Sequence, residues 1–270
     1  MPASCALRPA CGDSEQTKPP PWRLMDLVVR RYPCVTISMD AAMISATHTQ
    51  TFPHQAAFAP GALLDYARLD ATPVATDPFL HVVVENFVPQ PGLSAVVADL
   101  PDMQRGGSFP TGGLRLGPTG RTLMAELEGN RFRDVVAAKF GLDLAAAPTM
   151  VTLRGQSREK DGRIHCDSTA KQVTVLLYLN PQRDSWQRRE GCLRLLRDDA
   201  DLENFAVEVP PVNGTLLVFP NGPTTWHGHR QFVGQRYVVQ LNYMTNDGKA
   251  RSELRRHRIS AFMKRLTPAA

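Results

Sequence analysis

The stretch RYVVQLNYM, Arg236 to Met244, decides the fold class. On an extended strand successive side chains point to opposite faces. Arg236, Val238, Gln240 and Asn242 therefore share one face, and Tyr237, Val239, Leu241 and Tyr243 share the other. The first face is polar enough to line a cavity, and the second is apolar enough to pack under helices. Five more β-rich runs precede it after Pro148: MVTLRG from Met150, KQVTVLLYLN from Lys171, GCLRLL from Gly191, FAVEV from Phe205 and TLLVFP from Thr215. Short strands separated by turn residues at this spacing are typical of a sandwich or barrel.

Upstream the texture is helical. PFLHVVVENFV from Pro78 reads as a strand, but PGLSAVVADLP opens on Pro91 as a helix start. RTLMAELEGNRFRDVVAAKFGLDL from Arg121 spaces apolar residues by three and four and meets a natural stop at Gly141. Helices first and strands afterwards predict a helix-backed β domain. Residues 1–60 are rich in Pro, Ser, Thr and Ala, include KPPPW at Lys18 to Trp22 and lack sustained periodicity. They are expected to be a disordered or loosely attached extension.

A chain of 270 residues with 43% hydrophobic and 21% charged residues has the composition of a globular protein, and no window reaches the roughly 18 apolar residues of a membrane span. The five cysteines, Cys5, Cys11, Cys34, Cys166 and Cys192, are odd in number and form no Cys-x-x-Cys pair, which argues against a disulfide framework and a structural zinc site. No secretory signal is evident at the N-terminus. A reducing, cytoplasmic setting is the resulting expectation.

The net charge of +5 is local. From Thr245 onward Lys249, Arg251, Arg255, Arg256, Arg258, Lys264 and Arg265 face only Asp247 and Glu253, so the rest of the chain is neutral in sum. Ile259, Phe262, Met263 and Leu266 fall at helical spacing in the same segment. Residues 247–270 thus read as a basic helix docked by an apolar stripe, its charges solvated, rather than as a nucleic-acid arm. Nothing sets an oligomeric state.

The chemistry is concentrated in GRIHCDS, Gly162 to Ser168. His165 and Asp167, two residues apart, project to one face of an extended segment, with Cys166 turned away toward a structural role. A third metal ligand must come from elsewhere, and TTWHGHR at Thr224 to Arg230 offers His227 and His229. Spacing does not choose between these two. Two histidines and one carboxylate leave coordination positions free, as Fe(II) oxygen chemistry requires. A cosubstrate with a second carboxylate needs a buried cation, and the planar guanidinium of Arg236 suits that task.

His165, Asp167, His227 and Arg236, set in HCD, WHGH and GQRYVVQLNY, resemble the site residues of the Fe(II)/2-oxoglutarate-dependent dioxygenases, in the prolyl-hydroxylase-like branch. The resemblance covers roughly Phe79 to Thr245 and includes VTVLLYLN and the strand-opening glycines of GCLRLL and GTLLVFP. It implies a mainly β fold with supporting helices, a double-stranded β-helix or jelly roll, over residues 61–246. It implies Fe(II) on His165, Asp167 and His227, and 2-oxoglutarate held by Arg236 and Tyr178. It implies O2 as cosubstrate, ascorbate as a compatible accessory, and hydroxylation with release of succinate and CO2. His229 then falls to the substrate side, Leu176 is a cavity wall, and Trp226 packs beside the ligand segment. Arg154, where the branch often carries a tyrosine, is equally an ion-pair residue or a substrate contact. His48, His54, His81 and His257 are ordinary.

The substrate is not named by the sequence: a protein side chain and a small molecule both remain open. Arg183, Trp186, Arg188, Arg189 and Glu190 in the loop PQRDSWQRREG suggest a polar or anionic partner at the cavity mouth. Two rivals compete. One is a non-catalytic jelly-roll binding protein whose basic tail grips a polyanion. The other is a hydrolase or isomerase with a non-redox metal, against which Arg236 weighs, since hydrolysis needs no anchor for a dicarboxylate.

Overall fold

A computed structural model describes residues 62–266, with side chains as far as Ala261. The extension read at residues 1–60, with Cys5, Cys11, Cys34, His48 and His54, lies outside these residues, as do the side chains of Phe262, Met263 and Leu266.

The helices come first. They are α1 (Tyr66–Ala71), α2 (Gly92–Ala98), α3 (Pro118–Glu128) and α4 (Asn130–Phe140), interrupted by two short strands, β1 (Val82–Val84) and β2 (Phe109–Pro110). α3 and α4 bury Leu123, Met124 and Leu127, and Phe132 and Val136, respectively, and α4 stops where Gly141 turns left-handed at φ 64°. α3 has no cap of its own, because its N-cap is Gly117. Asp99, at the end of α2, supplies one by accepting the N–H groups of Thr119 and Gly120. Gly117 leaves room for that carboxylate, which a Cβ there would strike.

The strands follow as β3 (Thr149–Ser157), β4 (Lys171–Tyr178), β5 (Leu193–Leu196), β6 (Phe205–Val209), β7 (Leu216–Pro220), β8 (His227–His229) and β9 (Gly234–Met244), with a one-turn helix α5 (Asp184–Gln187) between β4 and β5. A six-stranded antiparallel sheet runs β1-β7-β4-β9-β3-β2, and a three-stranded sheet runs β6-β5-β8. This is a double-stranded β-helix backed by helices. Tyr237, Val239, Leu241 and Tyr243 of β9 join Val173, Val175 and Leu177 of β4 in the core shared with α1–α4. Val238 of β9 and Leu176 and Tyr178 of β4 turn the other way, onto Leu193, Leu195 and Val209 of the small sheet. β4 therefore reads as an unbroken apolar run because both of its faces are covered.

Two details differ from the strand-by-strand reading. β8 is the three-residue strand His-Gly-His, too short and polar to carry a hydrophobic period. β9 is also bulged: between the pairs Arg154↔Val238 and Gln156↔Gln235, one residue of β3, Gly155, faces two of β9, Arg236 and Tyr237. Bulges of this kind re-aim side chains at sites. The displaced backbone is taken up by Asn180, which accepts from Tyr237 N at 2.6 Å and donates to Tyr237 O at 2.9 Å and Pro211 O at 2.6 Å.

The C-terminal helix α6 (Gly248–Leu266) docks through a different face from the one the apolar spacing suggests. Ile259 is 53% exposed. Ala250 and Leu254 instead pack with Ala170, Met244 and Met150. Glu253 accepts from Ser168 Oγ at 2.7 Å and His257 Nε2 meets Val151 O at 3.1 Å. The helix thus sits against the segment that carries His165 and Asp167.

Candidate active site

His165 does not lie on a regular strand. It is held by a single antiparallel bridge to β8, His165 N to His227 O and His227 N to His165 O, each 3.0 Å. The pairing expected within one strand is replaced by pairing across two segments, which brings the two imidazoles to 4.4 Å between ring centres. One candidate ligand atom from each of His165, Asp167 and His227 lies within 4.8 Å of the others.

Both rings are oriented from behind. His165 Nδ1 is 2.8 Å from Arg163 O, and His227 Nδ1 is 2.9 Å from Thr225 O. A carbonyl only accepts, so Nδ1 carries the proton in each ring and Nε2 presents its lone pair, the tautomer a metal needs. Burial is the main reason the His227 imidazolium is disfavoured, with the neighbouring His165 second, and its pKa falls to about 4. Burial pushes Asp167 upward, but the charges of Lys171 and His227 and the hydrogen bonds from Lys171 and Thr174 outweigh it, and the carboxyl titrates below its usual range. Those bonds are Lys171 Nζ to Oδ1 and Thr174 Oγ1 to Oδ2, each 2.6 Å.

The three residues open onto a cavity of about 100 Å³ that Arg236 and Tyr178 also line. Arg236 is only 6% exposed, donates Nε–H to Gly191 O at 3.0 Å, and has its guanidinium carbon 5.2 Å from the centre of the Tyr178 ring. Gly191 can turn its carbonyl there because it sits at φ 69°, where a Cβ would also strike Phe232. Among the described residues Arg236 has no carboxylate partner. The Tyr178 hydroxyl is fully buried beside the Arg236 guanidinium, and burial, only partly offset by the charge of Arg236 and its hydrogen bond, raises its pKa. A buried guanidinium that meets only a phenol and a carbonyl carries an uncompensated charge, which is costly unless an anion completes it. Two imidazoles and a carboxylate suit Fe(II), and the guanidinium with the phenol suits the distal carboxylate of a small dicarboxylic acid. The residues present fit both groups.

Residues 155–244 match the family model of the 2OG-Fe(II) oxygenase superfamily, and they include the bridge, Arg236 and the cavity lining except Arg154. These residues belong to that superfamily. The oxygenase is accordingly a dioxygenase that uses Fe(II), 2-oxoglutarate and O2. Solved structures similar to it include a prolyl 4-hydroxylase from Phytophthora capsici (15% identity, 75% of this chain and 79% of that one, TM-score 0.48). A prolyl-4-hydroxylase from Pseudomonas putida is also similar (16%, 62% and 86%, 0.44). So is a prolyl hydroxylase from Trichoplax adhaerens solved with a hypoxia inducible factor peptide fragment (20%, 64% and 86%, 0.41). No curated protein matches the chain.

In the oxygenase the two histidines of β8 are separated by their surroundings. His227 joins the cluster with His165 and Asp167; His229 lines the cavity outside it. His229 Nδ1 meets Arg230 O at 2.8 Å, and its pKa falls to about 4 through burial first and then the charge of Arg236. Its ring packs on Gly162, whose φ of 91° and missing Cβ make the contact possible. Arg154 also lines the cavity. Cys166 is half-buried beside Pro223 O and outside the cluster. Trp226 contributes its carbonyl to Leu196 N at 2.9 Å and does not line the cavity.

Asn180, Lys171 and Thr174 carry no role in the sequence reading, and the signal for each was faint. Asn180 is the one amide closing a buried run. Thr174 is a polar residue on the inner face of β4, and Lys171 stands four residues after Asp167.

Proposed function

We propose that His165, Asp167 and His227 hold the Fe(II) of this dioxygenase, that Arg236 and Tyr178 hold the distal carboxylate of 2-oxoglutarate, and that the catalytic unit spans residues 61–246 with 247–270 as an appended basic helix. The observation that carries this reading is Arg236: a buried guanidinium with no carboxylate partner among the described residues, on the same cavity as a two-imidazole, one-carboxylate cluster. Iron and cosubstrate together supply the activation of O2, with loss of succinate and CO2 and delivery of oxygen to a C–H bond. The chain supplies placement. Arg163 O and Thr225 O fix the imidazole tautomers, Asn180 fixes the bulge under Arg236, and Leu176, Leu193 and Val238 wall the cavity against water.

Among the described residues no helix is long and apolar enough to cross a membrane. Cys166 and Cys192 are unpaired thiols, which supports a reducing, cytoplasmic setting. The test is succinate formation from 2-oxoglutarate by the iron-loaded protein. It is expected in wild type and lost in Asp167→Ala; succinate formed equally by both would end the assignment of these ligands, and metal binding without turnover under any condition would favour the binding-protein reading.

A further inference from the structure

Arg154 is a second cation on the same cavity, and the proposed cosubstrate does not account for it. It lies on β3 opposite Val238, so it shares the inward face with Arg236. Its one ion pair among the described residues is a 3.3 Å approach of Nη2 to Asp161 Oδ1. Asp161 is already engaged by Arg158, through its backbone N–H at 2.9 Å, Nε at 3.3 Å and Nη2 at 3.1 Å. One carboxylate thus serves two guanidiniums, and Arg158 holds the better share of it.

The charges show what is missing. The acidic residue lining the cavity is Asp167, which Lys171 already faces at 2.6 Å. Two guanidiniums therefore line one small cavity, and the distal carboxylate assigned to Arg236 would leave Arg154 with only its share of Asp161. The shared Asp161 carboxylate is a weak counter-charge for an arginine that faces inward beside another cation.

We infer that Arg154 binds a carboxylate on the substrate, so that the oxygenase acts on a small molecule bearing a free carboxylate near the carbon it hydroxylates. This rests on the reading of Arg236 as the cosubstrate anchor. The place of Arg154, 30% exposed on the wall of a cavity of about 100 Å³, suits a terminal carboxylate that enters the cavity, and a small acid is the occupant the inference commits to.

The test is a panel of free amino acids, N-acetyl amino acids and short aliphatic acids, each paired with its amide, read as succinate release above the substrate-free rate. Acids are expected to stimulate and their amides to do so at least ten-fold less well. In Arg154→Gln the concentration of the best acid needed for half-maximal stimulation should rise roughly 30-fold or more, the loss typical of a charge-assisted pair, and the preference for acid over amide should vanish. Arg154→Lys should restore part of both. Acids and amides stimulating alike, no acid stimulating, or an Arg154→Gln protein that keeps the preference would each overturn the inference. So would a steep rise in the 2-oxoglutarate requirement of Arg154→Gln, which would make Arg154 part of the cosubstrate anchor. The absorption band that wild type forms with Fe(II) and 2-oxoglutarate reports separately on the underlying reading.

Discussion

Asn180 shows how much of a site can rest on a residue that never touches a ligand. Its side chain makes three buried hydrogen bonds, two of them to Tyr237, the neighbour of Arg236 in the bulge. Replacing it by leucine leaves those backbone groups unpaired, at about 1 to 3 kcal/mol each. Asn180→Leu should therefore lower stability and raise the 2-oxoglutarate requirement on the order of ten-fold, while iron binding in the surviving folded protein stays close to wild type; an unchanged requirement would detach the bulge from the anchor. The adjacent histidines of β8 give a second test at this scale. His227→Ala should lose iron rapidly to a chelator and His229→Ala should retain it, with iron content after dialysis as the measurement. The order His-x-Asp, His, Arg was legible because each residue type is tied to one chemistry. Spacing did not choose His227 over His229, because both stand on one face of one short strand; the family resemblance favoured His227, and it is His227 that is bridged to His165 and clusters with it. Asn180 was silent, since an asparagine after LLYL looks the same whether it stitches a bulge or ends a strand.

At the scale of elements, the sheet is set by alternation and the helices by punctuation. Gly141 ends α4 where the sequence places the stop, and the inner and outer faces of β9 divide as its parity requires. The bulge was invisible, because register is decided by the partner strand rather than by the strand itself. So was the docking face of α6: Ala250 is too small to weigh in an apolar pattern, and Ile259 faces water. Leu177 of β4 is fully buried against the helices, so Leu177→Ala should cost about 2 to 5 kcal/mol in denaturant unfolding. An equally stable variant would mean that the two layers are not packed as one core. Asp99 caps α3 from another element, and its two backbone hydrogen bonds, working against the upward push of desolvation, hold its carboxyl below the usual range. A carboxyl depressed on folding contributes stability above about pH 4 that is lost as pH falls through the lower, folded value. Asp99→Ala should thus lower the melting temperature by about 2 to 4 °C at neutral pH. The gap from wild type should close in acid, and a gap independent of pH would show that the charge plays no part.

For the molecule as a whole, the two sheets bring the cluster of His165, Asp167 and His227 and the cation of Arg236 onto one small cavity. The large sheet supplies Arg236 and Tyr178; the small sheet supplies His227, and a loop bridged to it supplies His165 and Asp167. That division was readable in outline, because the ligand motifs and the arginine fall in different β runs. The closure of one sheet over the other was not, since it depends on contacts between residues far apart in the chain. The arrangement makes cosubstrate binding separable from metal binding, and this is the claim that can be tested most directly. Under anaerobic conditions 2-oxoglutarate is titrated into the Fe(II)-loaded wild type, Arg236→Gln, Arg236→Lys and Tyr178→Phe, and the metal-to-cosubstrate absorption band is followed. Losing a buried charge-assisted pair costs on the order of 2 to 5 kcal/mol, so Arg236→Gln should need roughly 30-fold to several-thousand-fold more 2-oxoglutarate with its iron content intact. Arg236→Lys should recover part of the loss, and Tyr178→Phe should lose only about 1.5 to 3 kcal/mol. An Arg236→Gln protein that develops the band at the wild-type concentration would contradict the account.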